Sequence, residues 1–163
     1  MLLPKHINPL YIHIFICLCG TFFAINSYVN FNFINSIFYL FIHLEIIYII
    51  IYYYRTLLYI FLFFVGIVLD LSLFNQIGTH TMTFMLIILI MNIFKKFIYK
   101  MNAIQIYFFI IFILILVLIF ENLISYFLFK NYFTLLNLLE YLLIALIISF
   151  PSFYIFKKID GKN

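Results

Sequence analysis

Charge is what this chain most lacks. Asp, Glu, Lys and Arg make up 9% of its 163 residues, while 69% are hydrophobic and the mean hydropathy is +1.27. Soluble domains carry about 25% charged and about 45–50% apolar residues. A globule needs polar groups to face water, so this composition excludes a soluble domain and calls for lipid as solvent. Glycine and proline are also scarce, with 4 and 3 residues. No linker rich in Gly, Ser or Pro interrupts the chain, and no internal repeat divides it. The sequence holds no Walker-type loop, no dinucleotide fingerprint, no G-x-S-x-G and no H-E-x-x-H. Cysteine is limited to Cys17 and Cys19. Their spacing has no His/Cys counterpart of zinc-site form, so they read as small packing residues and no metal is expected. Tryptophan is absent beside 24 Phe and 14 Tyr. That bias, with abundant Ile, Asn and Lys, is what codon drift in an AT-rich genome produces, so no weight falls on a single Phe or Tyr.

What is present is a succession of long apolar stretches, near 10–29, 33–54, 56–74, 78–94, 103–128 and 133–156. An α-helix rises about 1.5 Å per residue, so about 20 residues cross roughly 30 Å of hydrocarbon. Six spans take about 120 residues and leave roughly 40 for turns and ends. The expectation is an all-α integral membrane protein, residues 1–163 forming one transmembrane domain with no soluble catalytic part. The breaks fall at Asn30 and Asn32, Arg55, Asn75-Gln76 with Gly78, Lys95-Lys96 to Lys100, and Lys130-Asn131, and the tail from Lys157 to Asn163 reads as polar. The first stretch is long for a signal peptide and its Asn26-Ser27-Tyr28 exit lacks a small-residue cleavage site, so it is read as a retained helix.

The basic residues orient the bundle. With six alternating spans, Lys5, Arg55, Lys95, Lys96, Lys100, Lys157, Lys158 and Lys162 share one side and Lys130 takes the other, 8 against 1 of the 9 Lys and Arg. Basic residues near span ends stay in the cytoplasm, which places both termini there. The formal net charge of +4 is thus spread along helix ends. It suits anionic lipid headgroups and offers no continuous basic face for nucleic acid.

Ionisable groups at membrane depth are costly and usually face a bundle interior. The candidates are His13, His43, Glu45, Asp70, Glu121 and Glu140. Asp70 follows Gly66 by four residues and shares its helix face; Gly66 admits a close neighbour across which Asp70 can hydrogen-bond. Packing and capping is one reading of this pair, a ligand or partner site the other. The segment Ser72 to Gly78 reads as a simple outer loop or a short re-entrant element, the latter tolerated only when buried by protein. His43 and Glu45, two apart, do not share a face and are no acid–base dyad; an interhelical hydrogen bond or a proton relay are the two uses open to Glu45. Asp70, Glu121 and Glu140 all fall in the outer half, either as separate interface residues or as a cation or polar-ligand cluster. No catalytic constellation appears at any one depth, so the chain is expected not to be an enzyme and to need no cofactor.

The stretch Gly66-Ile67-Val68-Leu69-Asp70-Leu71, followed by Ile77-Gly78 and the apolar run Met82 to Met91, resembles the signature of the rod shape-determining MreD family. Tyr48 and Arg55 sit where that family often has an aromatic and a basic residue, and Phe150-Pro151 leading to Lys157-Lys158 resembles its last helix. The sequence departs from the family in Leu73, Phe74 and Asn75, where glycine or serine is common, and His80 occupies a position at which members vary. The resemblance implies a non-enzymatic multi-pass protein of the bacterial plasma membrane that helps maintain rod shape. Its implied partners are an MreC-like bitopic protein, an MreB-type filament and a RodA-type polymerase with its transpeptidase. It also implies a fold similar to the substrate-binding subunits of energy-coupling-factor vitamin transporters. The alternative expectation is therefore such a transporter subunit, with Asp70, Glu121 and Glu140 lining an outer pocket.

Overall fold

In a computed structural model the described residues are 8–26, 32–53, 56–74, 78–129 and 135–161. They form six α-helices and, among the described residues, no strand: α1 (Pro9–Asn26), α2 (Asn32–Tyr52), α3 (Thr56–Phe74), α4 (Thr79–Ile98), α5 (Ala103–Phe129) and α6 (Leu135–Ile159). The bounds follow the apolar stretches closely, because a leucine-, isoleucine- and phenylalanine-rich run has no way to satisfy its backbone in hydrocarbon except as a helix. Three helices hold stretches long and apolar enough to cross a membrane, Thr79–Ile98, Ala103–Leu128 and Leu138–Ile159; the apolar stretches of the others, Pro9–Ile25, Ser36–Tyr52 and Thr56–Ser72, are shorter.

Local chemistry sets several of the ends. Asn8 Oδ1 accepts from the Leu10 backbone N–H at 3.1 Å, with Pro9 at the first helical position, where its missing N–H costs nothing. Asn102 and Gln105 form a reciprocal capping box at the start of α5, each side-chain oxygen accepting the other's backbone N–H at 2.9 Å. At the end of α6 the chain turns at Gly161, with φ +66°, the left-handed conformation that glycine adopts without penalty.

The α2 helix is the axis of the bundle. Residues 42–50 are buried without interruption, so this helix is enclosed on all sides; α1, α4, α5 and α6 pack around it, and α3 lies outside against α4 and α1. The outer surface is apolar, with Phe15, Leu57, Phe64, Phe108, Ile147 and Phe150 all more than half exposed. Six ionisable groups lie inside: His13, His43, Glu45, Asp70, His80 and Glu121 are all buried. A surface of this kind is stable only in lipid.

Hydropathy misplaces two ends. The α4 helix runs on through Lys95 and Lys96 to Ile98, and α6 through Lys157 and Lys158 to Ile159, because lysines in a last turn complement the negative helix end and mark where lipid stops, not where helix stops. The segment read as a polar tail thus carries a helical turn and then Asp160, which folds back into the bundle. Lys5, Arg55, Asn75, Gln76, Ile77, Lys130 and Lys162 lie outside the described residues, as does the middle of the segment read as loop or re-entrant element.

Candidate functional site

Gly66, Asp70 and Gly78 build the joint between α3 and α4. A side chain at Gly66 would begin 2.8 Å from Thr81 Cα and 3.1 Å from Thr81 N, so the backbones of α3 and α4 meet there as only glycine allows. One turn on, Asp70 reaches the beginning of α4. Its Oδ2 accepts from the backbone N–H groups of Gly78 at 2.9 Å and Thr81 at 3.0 Å and from Thr81 Oγ1 at 2.7 Å. Its Oδ1 accepts from the His80 backbone N–H at 2.7 Å and pairs with His80 Nδ1 at 2.8 Å. The α4 N-cap position, Gly78, supplies no side-chain cap of its own. A carboxylate from another helix therefore satisfies the orphan donors and meets the positive helix end. Gly78 itself has extended φ, and a side chain there would meet only the tip of Leu128, at 2.7 Å. Its backbone N–H serves as a donor to Asp70 in a crowded turn. Asp70 thus caps the start of α4 across the close contact at Gly66.

From this joint a chain of polar contacts crosses to α2 and α5. His80 Nε2 lies 3.2 Å from the Tyr39 hydroxyl, which donates to Glu121 Oε2 at 2.5 Å. Glu121 Oε1 pairs with His43 Nε2 at 2.8 Å, and His43 Nδ1 donates to the Tyr39 carbonyl at 2.8 Å. With Nδ1 spent on a carbonyl, the His43–Glu121 contact holds one shared proton, either as imidazolium and carboxylate or as imidazole and acid. Either form is neutral, which keeps a net charge out of the bundle interior. Asp70 and Glu121, expected as members of an outer acidic group, are thus joined through His80 and Tyr39. Glu140 is exposed on α6 and does not belong to this chain of contacts.

A second cluster occupies the end that carries Lys95, Lys96, Lys157 and Lys158. Asp160 accepts from Tyr48 at 2.6 Å and from Tyr53, and pairs with His13 Nε2 at 2.9 Å. The other ring nitrogen of His13 pairs with Glu45 Oε1 at 2.8 Å, and the second Glu45 oxygen is buried without a partner. The rings of Tyr48, Tyr53 and Phe156 surround His13 at 5.3, 5.6 and 6.0 Å between centroids. Burial alone would raise the Asp160 carboxyl; the hydrogen bonds from His13, Tyr48 and Tyr53 outweigh it and lower it to about 2. The cluster ties the exit of α6 to the entrance of α1 and the far end of α2.

His43 and Glu45, two residues apart, therefore serve different clusters, as their helix positions require. Leu71 and Pro151 lie exposed on α3 and α6, while Tyr48 is fully buried in the Asp160 cluster. Arg55 lies outside the described residues. Sequence reasoning missed the partnership of each described histidine, His13, His43 and His80, with a carboxylate, and missed Asp160 altogether. Depth narrows the search: alternating helix direction puts His13 and Asp160 toward one end and Tyr39, Asp70, His80 and Glu121 toward the other, with His43 and Glu45 at mid-helix between them.

Among the described residues no group of three or more His, Cys, Asp or Glu side chains is placed to hold a metal ion. Cys17 is buried and Cys19 half-buried, both as free thiols. No family model, curated protein or solved structure matches this chain.

Proposed function

We propose that the chain is an MreD-like scaffold of the bacterial cell-wall elongation complex. It crosses the plasma membrane six times with both termini in the cytoplasm, and it couples an MreC-like bitopic protein and an MreB-type filament to a RodA-type polymerase and its transpeptidase. One observation carries this reading: Gly66, Asp70 and Gly78, spaced as in the family signature, meet as one physical unit, the α3–α4 joint held by Asp70. The six-span topology draws support from the shorter apolar stretches, Pro9–Ile25, Ser36–Tyr52 and Thr56–Ser72, which reach the lower end of the roughly 17–25 residues needed to span.

A scaffold of this kind acts by presenting a fixed apolar surface. Buried polar pairs specify one arrangement of helices where apolar contacts alone would tolerate several, and the exposed Leu, Ile and Phe rows of α1, α3, α4 and α6 then face lipid or a partner's transmembrane helix. No reaction is assigned to the buried carboxylates. Depletion of the chain in its own bacterium is the test. Rounded cells with reduced lateral peptidoglycan incorporation are expected; unchanged shape with lost uptake of a small molecule would overturn the reading in favour of a transporter subunit.

A further inference from the structure

Between α2, α4 and the start of α5, at the basic end, lies a cavity of about 220 Å³ lined by Ile50, Ile51, Met91, Ile98 and Ile106, with Tyr52, Lys95, Tyr99 and Met101 completing it. Its position follows from the way α2 and α4 are joined. At the opposite end Tyr39 and His43 of α2 meet His80 and Phe84 of α4, with ring centroids 5.5–6.2 Å apart. Toward the basic end the turn Tyr99–Asn102 carries the chain past the gap into α5.

We infer that this cavity is a binding site for an anionic phospholipid, an acyl chain lying against the isoleucines and the phosphate meeting Lys95. The isoleucine and methionine part of the wall is hydrocarbon and accepts only hydrocarbon without a desolvation penalty. The single cationic side chain of the lining stands in the last turn of α4 beside Lys96, where a lysine reaches the headgroup layer. Tyr52 and Tyr99 flank it, and Tyr99 is 75% exposed; an amphipathic ring at that height belongs at the membrane interface. Basic pockets between helices on this side of a membrane are suited to anionic headgroups. The site stands whether or not the scaffold reading does.

The test is to titrate the purified full chain in neutral detergent with phosphatidylglycerol, phosphatidylcholine or glycerol phosphate, following bound lipid by native mass spectrometry and unfolding by heat. Phosphatidylglycerol is expected to bind and stabilise, phosphatidylcholine less, and glycerol phosphate not at all. Lys95→Gln should reduce the preference for phosphatidylglycerol about five-fold, the factor one lysine contributes near an anionic surface, while Lys96→Gln, outside the lining, leaves it unchanged. Ile106→Trp, which fills the cavity, should lose both lipids while keeping its fold. Equal binding of the two lipids, an equal effect of Lys95→Gln and Lys96→Gln, or stabilisation by glycerol phosphate alone would overturn the inference.

Discussion

Asp160 and His13, separated by 147 positions in sequence, face each other at 2.9 Å inside the bundle. This contact joins the last helix to the first, and Tyr48 and Tyr53 of the α2 region complete it. Asp160→Asn keeps the shape but loses the charge that three donors address. Hydrogen bonds to a charged group contribute about 1.5–3 kcal/mol, so the variant should unfold several degrees lower in detergent. Glu140→Gln, on an exposed carboxylate, should be neutral in the same thermal assay.

The same carboxylate fixes a pH dependence. Asp160 is held at about 2 against an ordinary 3.8, so the folded state binds the proton less readily than the unfolded chain. Its stabilisation is full above about pH 4 and is lost as pH falls from there to about 2. The difference in melting temperature between the wild type and Asp160→Asn should be constant from pH 7 to 5 and narrow below pH 4. A difference that instead widened with acid would contradict the assignment.

Gly66 and Gly78 should not be equivalent. At Gly66 an added Cβ meets the backbone of Thr81, whereas at Gly78 it meets the end of a leucine side chain that can rotate away. Gly66→Ala must push two helices apart and should cost about 1–3 kcal/mol, as overpacking does. Gly78→Ala should cost less. Thermal unfolding of the two alanine variants checks the order.

Much of this fold was legible in the sequence because lipid imposes a severe rule: an apolar run of sufficient length must be a helix. The break at Lys100 and the boundaries of α3 and α5 follow from composition alone. The Gly66–Asp70 spacing also announced a close helix contact with a polar group across it. What composition could not supply was the partner of each polar group. Asp160 sits after two lysines in what reads as a polar tail, and only the extra turn of α6 brings it back beneath His13. His80 looked incidental until the α3–α4 turn placed it on Asp70. Glu140, at the same nominal depth as Glu121, points outward because hydropathy reports depth and not azimuth.

Topology is open to direct measurement. Single cysteines placed in a background lacking Cys17 and Cys19, at Asn8, Asn102 and Gly161, should all be labelled from the cytoplasmic side and none from outside. Labelling of Asn8 and Gly161 positions from opposite faces would require an odd number of spans and remove the charge argument for six.

The central claim is that the Asp70 joint supports a partner-binding scaffold, and quantitative mass spectrometry of proteins co-purifying with the tagged chain from its native membrane tests it most directly. Wild type, Asp70→Asn and Glu45→Gln are compared at equal membrane levels. The account predicts recovery of an MreC-like bitopic protein with the wild type, a large loss with Asp70→Asn, and a smaller one with Glu45→Gln. Recovery of transporter ATPases with a coupling subunit, or equal partner recovery for the two variants, would contradict it.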